Sequence, residues 1–517
     1  MSDTKLVTLV NALPEFYQPI YGHNEWNDKP LRHCQDRLIF VKKIYDELSR
    51  ELQRPLRVLD LGCAQGFFSL HLASWGGNIT GIDFSEQNIS LCKFLASEHP
   101  DYNANFIRAK IEDFLPAVKV EEYDLVLCLS ILHNISKYLG VENIRKLMSD
   151  LSQKIDGGIF EFALESVHRK YIPRDYRDFL PNFAFIKELA QSKSRDINGA
   201  KRPLCFASNK YVYFENFGML KIDEISYNVH SYLRKEDLIH FHCGDKFIKF
   251  FYITNEGQLV KAQQEIQFLK ELGGQRGLPK LLATYAEQDQ NGIRLFIVRE
   301  KLEGIVLSEK LASDKKINTW DVLKQALQWM VFFEQHDYYH GDIQTPNFIY
   351  SPDGKLYPID YEEIRHAPIV LIWPYKVNLL FLIFMNALLD RRCEKSGFHR
   401  EARLLTNLKK HLSSKQYEQI SKITESEKFF ARLYEILFQT SNQSLEKESY
   451  KIGELEILSV EKFLDDVSWR LKEHQNALEQ INNLTLEINS FANSVIKLLV
   501  EQQKRIEKLE KLLSERN

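Results

Sequence analysis

Short apolar runs alternate with amphipathic stretches over the first part of the chain. RVLDLG, NITGID, NFIRAK, YDLVLCLS and GGIFEFALES each have the apolar character of a buried strand, and helical patterns separate most of them. This alternation predicts a parallel sheet with helices on its faces. A later run, LCFASNKYVYF over residues 204–214, predicts a strand or hairpin that closes the unit. We therefore predict an α/β domain over residues 1–215.

The order of the elements changes over residues 216–455. Two strand-like segments come early, FIKFFYI and RLFIVREKL, and helical patterns follow, of which WDVLKQALQWMVFFEQH is the longest early one. Strands followed by helices are typical of an α+β domain. We expect a bilobal domain here, with a small β-rich lobe followed by a helical lobe.

Glycine and proline are absent from residues 456–517, and apolar positions recur there at alternating spacings of four and three. A sustained heptad pattern without helix breakers predicts an α-helical coiled coil. The alternative is one long helix that folds back on its own protein. The pattern is still running at residue 517, which indicates a truncated chain.

Composition narrows the class of protein. The chain of 517 residues has 68 Lys and Arg against 71 Asp and Glu, a net charge of −3, which gives no support to nucleic-acid binding. The seven cysteines are dispersed without a CxxC pair, as in reduced cytosolic proteins. The N-terminus lacks the features of a signal peptide. The most apolar stretch, residues 377–389, is too short to span a bilayer and predicts a buried helix.

A glycine turn follows the first predicted strand. Asp60 ends that strand, and Gly62 and Gly66 allow the backbone to turn tightly and to approach a ligand. The spacing is G-x-x-x-G and not the dinucleotide pattern G-x-G-x-x-G. Asp83 ends the next strand, where a carboxylate can hold ribose hydroxyls. Lys110 begins a segment that offers polar groups beside the position where an adenine would stack.

This arrangement resembles the class I S-adenosylmethionine-dependent methyltransferases, which have a Rossmann-like parallel sheet. The resemblance implies that Asp60 and the turn from Gly62 to Gly66 face the methionine part of the cofactor. It also implies that Asp83 holds the ribose and that Ile111 contacts the adenine. His133, after the fourth strand, is a candidate contact of the methyl acceptor, although a structural role is an equal alternative. A nucleotide-binding fold with another cofactor, or with none, is the alternative for the whole domain.

A second set of chemical residues lies in the predicted bilobal domain. His340-Gly341-Asp342 is followed by Asn347 and then by Asp360. Phosphoryl transfer needs one residue that orients the attacking hydroxyl and others that hold magnesium. Asp342 suits the first role, and Asn347 and Asp360 suit the second.

Residues upstream complete this set for ATP. Lys249 lies in a predicted strand and suits the α- and β-phosphates, while Glu265 lies on a predicted helix and can pair with it. Residues 300–302 (Glu300, Lys301 and Leu302) would form the hinge that binds adenine.

This set of residues resembles the motifs of the protein-kinase-like fold, in its small-molecule branch. The resemblance implies ATP and Mg²⁺ as cofactors. The sequence departs from the family in two ways. No G-x-G-x-x-G covers the phosphates, and Asp360 is followed by Tyr361 and not by Phe-Gly. A pseudokinase is the alternative.

The whole order resembles the bifunctional kinase–methyltransferases that terminate lipopolysaccharide O-antigen chains. The likeness rests on LPEFYQPIYGHNEW, RPLRVLDLGCAQGFFSLHLAS, GIDFSEQNI and REKLEGIVLSEKL, and it is close over about residues 6–365. It implies that the kinase phosphorylates the terminal sugar of a lipid-linked polysaccharide and that the methyltransferase then methylates that phosphate. Carried over by position, it implies cofactor contacts at Tyr17, Gln18, Arg37, Gly62, Asp83, Phe84, Asn88, Lys110, Ile111 and Leu129.

The resemblance also implies a setting for the protein. It implies a trimer through the coiled coil, a polymerising glycosyltransferase as partner, and a peripheral position at the cytoplasmic face of the bacterial inner membrane. Two other functions remain open from the residues alone. One is a small-molecule tailoring enzyme whose halves have independent substrates, and the other is a coiled-coil scaffold with degenerate enzyme folds.

Overall fold

A computed structural model of the chain describes most residues up to 439 and none beyond. The described ranges are 2–26, 30–164, 171–173, 175–193, 201–227, 238–288, 292–366, 371–372, 375–391, 405–424 and 428–439. Contacts divide the chain into two compact units, Met1–Leu302 and Glu303–Asn517. The domain boundaries proposed from the sequence stay predictions, and the coiled coil over residues 456–517 lies outside the described residues.

A seven-stranded sheet forms the centre of the first unit, in the order β3-β2-β1-β4-β5-β7-β6. Its strands are β1 Arg57–Leu61, β2 Asn78–Asp83, β3 Ala104–Arg108, β4 Leu125–Leu129, β5 Gly157–Glu161, β6 Phe185–Lys193 and β7 Lys201–Ser208. The first five strands are parallel, and β7 runs antiparallel to both neighbours. The predicted parallel α/β fold is confirmed.

Seven helices accompany this sheet in the described residues. They are α1 Ser2–Asn11, α2 Gln35–Leu52, α3 Phe67–Ser74, α4 Glu86–Ser97, α5 Ile111–Phe114, α6 Leu132–Leu139 and α7 Val141–Ser152. Consecutive residues of the central strands enter different apolar clusters: Val58 packs in one, and Leu59 packs in the other. Both faces of the sheet are therefore buried, which explains why these strands are continuous apolar runs.

The segment LCFASNKYVYF forms two strands that belong to different sheets. Its first part lies in β7, while β8 (Tyr211–Phe214) pairs with β9 (Gly218–Lys221). The hydroxyl of Ser208 accepts the N–H groups of Lys210 and Tyr211, both at 2.9 Å. This local turn redirects the chain, so the segment is neither one strand nor a hairpin with itself.

A second sheet in the first unit has five antiparallel strands, in the order β10-β11-β12-β14-β13. They are β10 Glu224–Tyr227, β11 Leu238–Cys243, β12 Lys246–Ile253, β13 Leu281–Gln288 and β14 Ile293–Glu300, and helix α8 (Glu256–Leu272) follows β12. The runs FIKFFYI and RLFIVREKL lie in β12 and β14, as predicted. Residues 228–237 lie between β10 and β11, in the part of the sequence that stands in place of a glycine-rich phosphate loop. They lie outside the described residues.

The two sheets of the first unit share one apolar core. Phe185 on β6 is fully buried, and its ring lies 6.0 Å from that of Phe241 and 5.5 Å from that of Phe296, both in the five-stranded sheet. The ring of Phe214 stacks on Tyr285 at 4.5 Å. Aromatic pairs at such distances add to the free energy of apolar burial. The β-rich lobe is therefore packed onto the α/β domain as part of one unit.

The second unit is mostly helical in its described residues. Its helices are α9 Leu307–Ser313, α10 Thr319–Glu334, α11 Val377–Leu389, α12 Ser414–Ile423 and α13 Phe429–Tyr434. Short strands connect them: β15 Ile305–Val306, β16 Tyr338–His340, β17 Phe348–Tyr350, β18 Leu356–Pro358, β19 Ile364–His366, β20 Leu371–Ile372 and β21 Tyr375–Lys376. Helix α11 is buried along most of its length, as predicted. Within the described residues, no helix combines the length and apolarity that a bilayer crossing needs.

We expect Phe185→Ala to lower the free energy of unfolding by about 3–5 kcal/mol, because the cavity would lie where the two sheets of the first unit meet. Urea denaturation followed by tryptophan fluorescence measures this change. Val120→Ala, at a side chain that is 66% exposed, is the control and should change stability by less than about 0.5 kcal/mol. Equal stability of Phe185→Ala and the unchanged protein would contradict the shared core.

Candidate functional sites

The glycine turn after β1 needs glycine at both ends for its backbone conformation and for its packing. Gly62 and Gly66 have φ values of +72° and +77°. A Cβ atom at Gly66 would lie 2.9 Å from Sγ of Cys92, and one at Gly62 would lie 3.2 Å from Cγ1 of Ile131. Neither position can therefore take a larger side chain without a shift of its neighbours.

Asp83 joins this turn to the end of β2. Its carboxylate accepts the N–H of Ala64 at 3.1 Å, the N–H of Ser85 at 2.8 Å and the side-chain amide of Asn88 at 3.2 Å. A carboxylate offers about four acceptor positions, so these three bonds leave capacity for a ligand hydroxyl. Asp83 is 6% exposed, and burial raises its pKa.

Asp60 lies deeper than Asp83. Its carboxylate accepts the hydroxyl of Ser69 at 2.6 Å, and the residue is 3% exposed. Burial raises the pKa of Asp60 to about 6, against the opposing effect of the Ser69 hydrogen bond. Asp60 therefore supports the base of the turn through α3.

Gln65 is a residue that the sequence did not single out. Its Oε1 accepts the backbone N–H groups of Tyr17 at 3.2 Å and Gln18 at 2.8 Å, and its Nε2 donates to Oδ1 of Asn88 at 2.8 Å. The side chain of Gln18 in turn accepts the N–H of Phe67 at 3.1 Å, at the start of α3. These bonds bring Tyr17, Gln18 and Asn88, all predicted as cofactor contacts, to the glycine turn.

Four further predicted contacts lie at the carboxyl ends of neighbouring strands. The N–H of Ala109 donates to the carbonyl oxygen of Asp83 at 3.0 Å, so Lys110 and Ile111 follow directly beside the end of β2. Phe84, after β2, is 69% exposed, and Leu129 ends β4. Ligands of open α/β sheets bind at this edge.

Arg37 lies in a buried ionic network around Glu161. Glu161 ends β5 and pairs with Arg37 at 3.1 Å and with Arg32 at 2.9 Å, and it also accepts the hydroxyls of Ser130 and Ser192. Burial alone would raise the pKa of Glu161, but the two arginines and two hydroxyls hold it at about 2. The sequence did not identify Glu161 as the partner of Arg37, because the two residues are distant in the chain.

His133 lies near this network, on α6. It is 6% exposed and lines a small cavity at the carboxyl edge of the sheet. The lining residues are Leu132, His133, Glu161, Phe162, Ala163, Ile172 and Phe179. The contact of His133 with the methyl acceptor stays a prediction, with a structural role as its alternative.

The five-stranded sheet carries the predicted lysine and glutamate as a buried ion pair. Nζ of Lys249 on β12 lies 3.1 Å from Oε2 of Glu265 on α8, and both side chains are less than 5% exposed. At the predicted hinge, the N–H of Glu300 donates to the carbonyl oxygen of Lys280 at 3.0 Å, and that of Lys301 donates to Asp245 at 2.8 Å. Leu302 ends the first unit.

In the second unit, Asp342 is held by three neighbours. Its Oδ2 accepts Nδ2 of Asn347 at 2.8 Å, its Oδ1 accepts Nε2 of Gln344, and its own N–H donates to Nδ1 of His340 at 3.2 Å. Nε2 of His340 lies 3.2 Å from the carbonyl oxygen of Ile359, and burial lowers the pKa of His340, so this imidazole is neutral. Burial raises the pKa of Asp342.

Asn347 and Asp360 are linked through the backbone. The N–H of Ile359 donates to the carbonyl oxygen of Asn347 at 2.8 Å, and Asp360 follows with φ +63°. Because Nδ2 of Asn347 donates to Asp342, its Oδ1 is the atom that can face a cation. Carboxylate and amide oxygens are the donors that Mg²⁺ prefers, so this pair fits that ion.

Comparisons with known proteins identify relatives of this chain. The family described as "Methyltransferase domain" matches residues 52–156. The O-antigen chain terminator bifunctional methyltransferase/kinase WbdD of Escherichia coli is 33% identical over 412 residues, which is 77% of this chain and 58% of that protein. A ubiquinone biosynthesis O-methyltransferase of Rickettsia canadensis is 31% identical over 143 residues, 26% of this chain and 54% of that enzyme.

Solved structures of WbdD are similar over more of the chain. One structure of this bifunctional kinase-methyltransferase is 28% identical, covers 89% of this chain and is itself covered completely, with a TM-score of 0.71. Another, with an ordered C-terminal bundle, covers 95% of this chain with a TM-score of 0.73.

The aligned region spans only 58% of the length of the curated WbdD proteins. At 412 residues it is nevertheless longer than either predicted enzyme domain. By this alignment and these structural matches, the chain is a homologue of the bifunctional methyltransferase/kinase WbdD.

Proposed function

We propose that this chain is a bifunctional enzyme that limits the length of a lipid-linked O-antigen polysaccharide. Its kinase phosphorylates the terminal sugar, a mannose, with ATP, and its methyltransferase then methylates that phosphate with S-adenosylmethionine. The observation that carries the proposal is the 412-residue alignment with a protein named as an O-antigen chain terminator. Retention of Lys249, Glu265, Asp342, Asn347 and Asp360 argues against a non-catalytic scaffold.

The surroundings of Asp342 suit a residue that orients and deprotonates a sugar hydroxyl. Two side-chain amides, from Gln344 and Asn347, fix both carboxylate oxygens. Burial raises the pKa of Asp342, which makes its carboxylate a stronger base than one at the surface.

The remaining kinase residues would hold the nucleotide and its cation. Lys249, kept in place by Glu265, would bind phosphate oxygens, and Oδ1 of Asn347 and the carboxylate of Asp360 would hold Mg²⁺. When bound, Mg-ATP supplies the phosphoryl group and a cation that neutralises its developing charge.

The methyltransferase residues favour an acceptor that needs no strong base. Glu161 has a pKa of about 2 and two arginine partners, so it cannot take a proton from a hydroxyl near neutral pH. Asp60 is buried against Ser69. A phosphomonoester is already anionic near neutral pH, and alignment with the methyl donor is its main requirement. S-Adenosylmethionine supplies the methyl group, and the glycine turn, Asp83 and residues 17–18 would bind it.

The setting of the enzyme is part of the same proposal. We propose a homotrimer through the coiled coil at residues 456–517, a polymerising glycosyltransferase as partner, and a peripheral position on the cytoplasmic face of the inner membrane. The heptad pattern of the sequence supports the oligomer. The resemblance to O-antigen chain terminators supports the partner and the position.

The order of the two reactions can be determined from the mass of the acceptor after incubation. A short mannose oligosaccharide incubated with the protein and ATP should gain one phosphoryl group, and it should gain a further methyl group only when S-adenosylmethionine is also present. Mass spectrometry of the acceptor measures both. Methylation with S-adenosylmethionine alone would instead indicate halves with independent substrates.

Asp342→Asn should lower phosphorylation at least 100-fold, because the amide cannot accept the hydroxyl proton. On the unmodified acceptor both modifications should be lost, whereas a chemically phosphorylated acceptor should still be methylated. Asp321→Asn, at an exposed position on α10, is the control and should retain both activities. Methylation of the unmodified acceptor by Asp342→Asn would contradict the ordered reaction.

The coiled coil can be tested by sedimentation of the full chain. We expect a particle with three times the mass of one chain. Leu478→Pro, at a core position of the heptad pattern, should shift this to single chains, because proline breaks a helix. Sedimentation of the unchanged protein as single chains at micromolar concentration would refute the oligomer.

A further inference from the structure

Residues 15–18 are attached to the glycine turn through one side chain. Gln65 is 1% exposed, and all its polar groups are engaged: Oε1 with the N–H groups of Tyr17 and Gln18, and Nε2 with Oδ1 of Asn88 and the carbonyl oxygen of Glu15 at 3.2 Å. An amide is the side chain that can both accept two and donate two hydrogen bonds at this position.

The donor half of Gln65 controls the orientation of Asn88. Because Oδ1 of Asn88 accepts from Gln65, Nδ2 of Asn88 is directed to Oδ1 of Asp83. The other carboxylate oxygen of Asp83 accepts the N–H of Ala64, the residue before Gln65. Residues 15–18, the turn, α4 and the end of β2 therefore form one closed set of hydrogen bonds.

We propose that Gln65 is a positioning residue for the methyl donor. Its acceptor half holds Tyr17 and Gln18 against the turn, and its donor half orients Asn88 and through it the Asp83 carboxylate. The proposal rests on the proposed methyltransferase activity and adds a residue that acts on the cofactor only through others.

Two substitutions distinguish the role of the acceptor atom of Gln65 from that of its donor group. Gln65→Met has a similar length and removes both halves. Gln65→Glu keeps the acceptor atoms but removes the donor: an ionised carboxylate then faces Oδ1 of Asn88, and rotation of that amide would direct the oxygen at Asp83 instead. Gln153→Met, at an exposed position after α7, is the matched control.

The first readout is amide hydrogen exchange without any ligand, in peptides covering residues 16–20. Gln65→Met should exchange faster there than the unchanged protein. Gln65→Glu keeps the acceptor of the Tyr17 and Gln18 N–H groups but loses the bond to the carbonyl oxygen of Glu15, so its exchange should be faster than in the unchanged protein and slower than in Gln65→Met. Peptides of α7 should be the same in all variants. A general loss of stability would speed exchange throughout the first unit and would not distinguish the two variants.

The second readout is calorimetric binding of S-adenosylmethionine. Both Gln65 variants should bind roughly tenfold more weakly, since a buried polar group loses its partner in each, and Gln153→Met should bind like the unchanged protein. With phosphorylated acceptor, the KM for the methyl donor should rise while kcat at saturation stays within about twofold.

Unchanged affinity in both Gln65 variants would overturn the inference while leaving the proposed function intact. Failure of the unchanged protein to bind S-adenosylmethionine would overturn both. Equal exchange of residues 16–20 in all variants would refute the attachment of residues 15–18 through Gln65.

Discussion

Burial of aromatic side chains between two sheets is the constraint on which the first unit depends. Phe185 belongs to the α/β sheet, yet its ring contacts Phe241 and Phe296 of the five-stranded sheet. If the two sheets were apart, these rings would be exposed to water, which is unfavourable for an apolar surface of this size. The unit that contains the glycine turn and the Lys249–Glu265 pair is therefore one packed body up to residue 302.

In this unit, the glycine turn depends on small residues and on one side-chain amide. Gly62 and Gly66 provide the backbone shape, and Gln65 between them provides the attachment of residues 15–18. The same short segment thus sets the shape of the turn and joins it to the N-terminal segment. A change at Gln65 acts on residues 15–18, Asn88 and Asp83 together, although it leaves the glycines untouched.

Local patterns predicted the elements that depend on local sequence. Apolar runs predicted the five parallel strands, and spacing identified the turn and the cluster around Asp342. The lysine–glutamate pair was predicted from a strand and a helix that occur in the expected order. Partners that are distant in the chain escaped prediction: Glu161 for Arg37, and residues 15–18 for Gln65. The segment over residues 204–214 was misjudged because the strand pairing of its two halves is decided by β5, β6 and β9, and periodicity within the segment carries no information about them.

The buried Lys249–Glu265 pair is explained better by a function than by a contribution to stability. Removing two charges from water costs several kcal/mol per ion, and apolar replacements of buried ion pairs are often neutral or stabilising. Phe251, two positions along β12 and therefore on the same face as Lys249, is buried and apolar, so an apolar pair would suit this face of the sheet. Stability therefore gives no reason for a lysine at this position. The proposed binding of phosphate oxygens gives one, because the ion pair with Glu265 keeps the lysine in place without a nucleotide. Under the proposed function, the unfavourable burial of two charges is retained because it positions Lys249 for the phosphate oxygens.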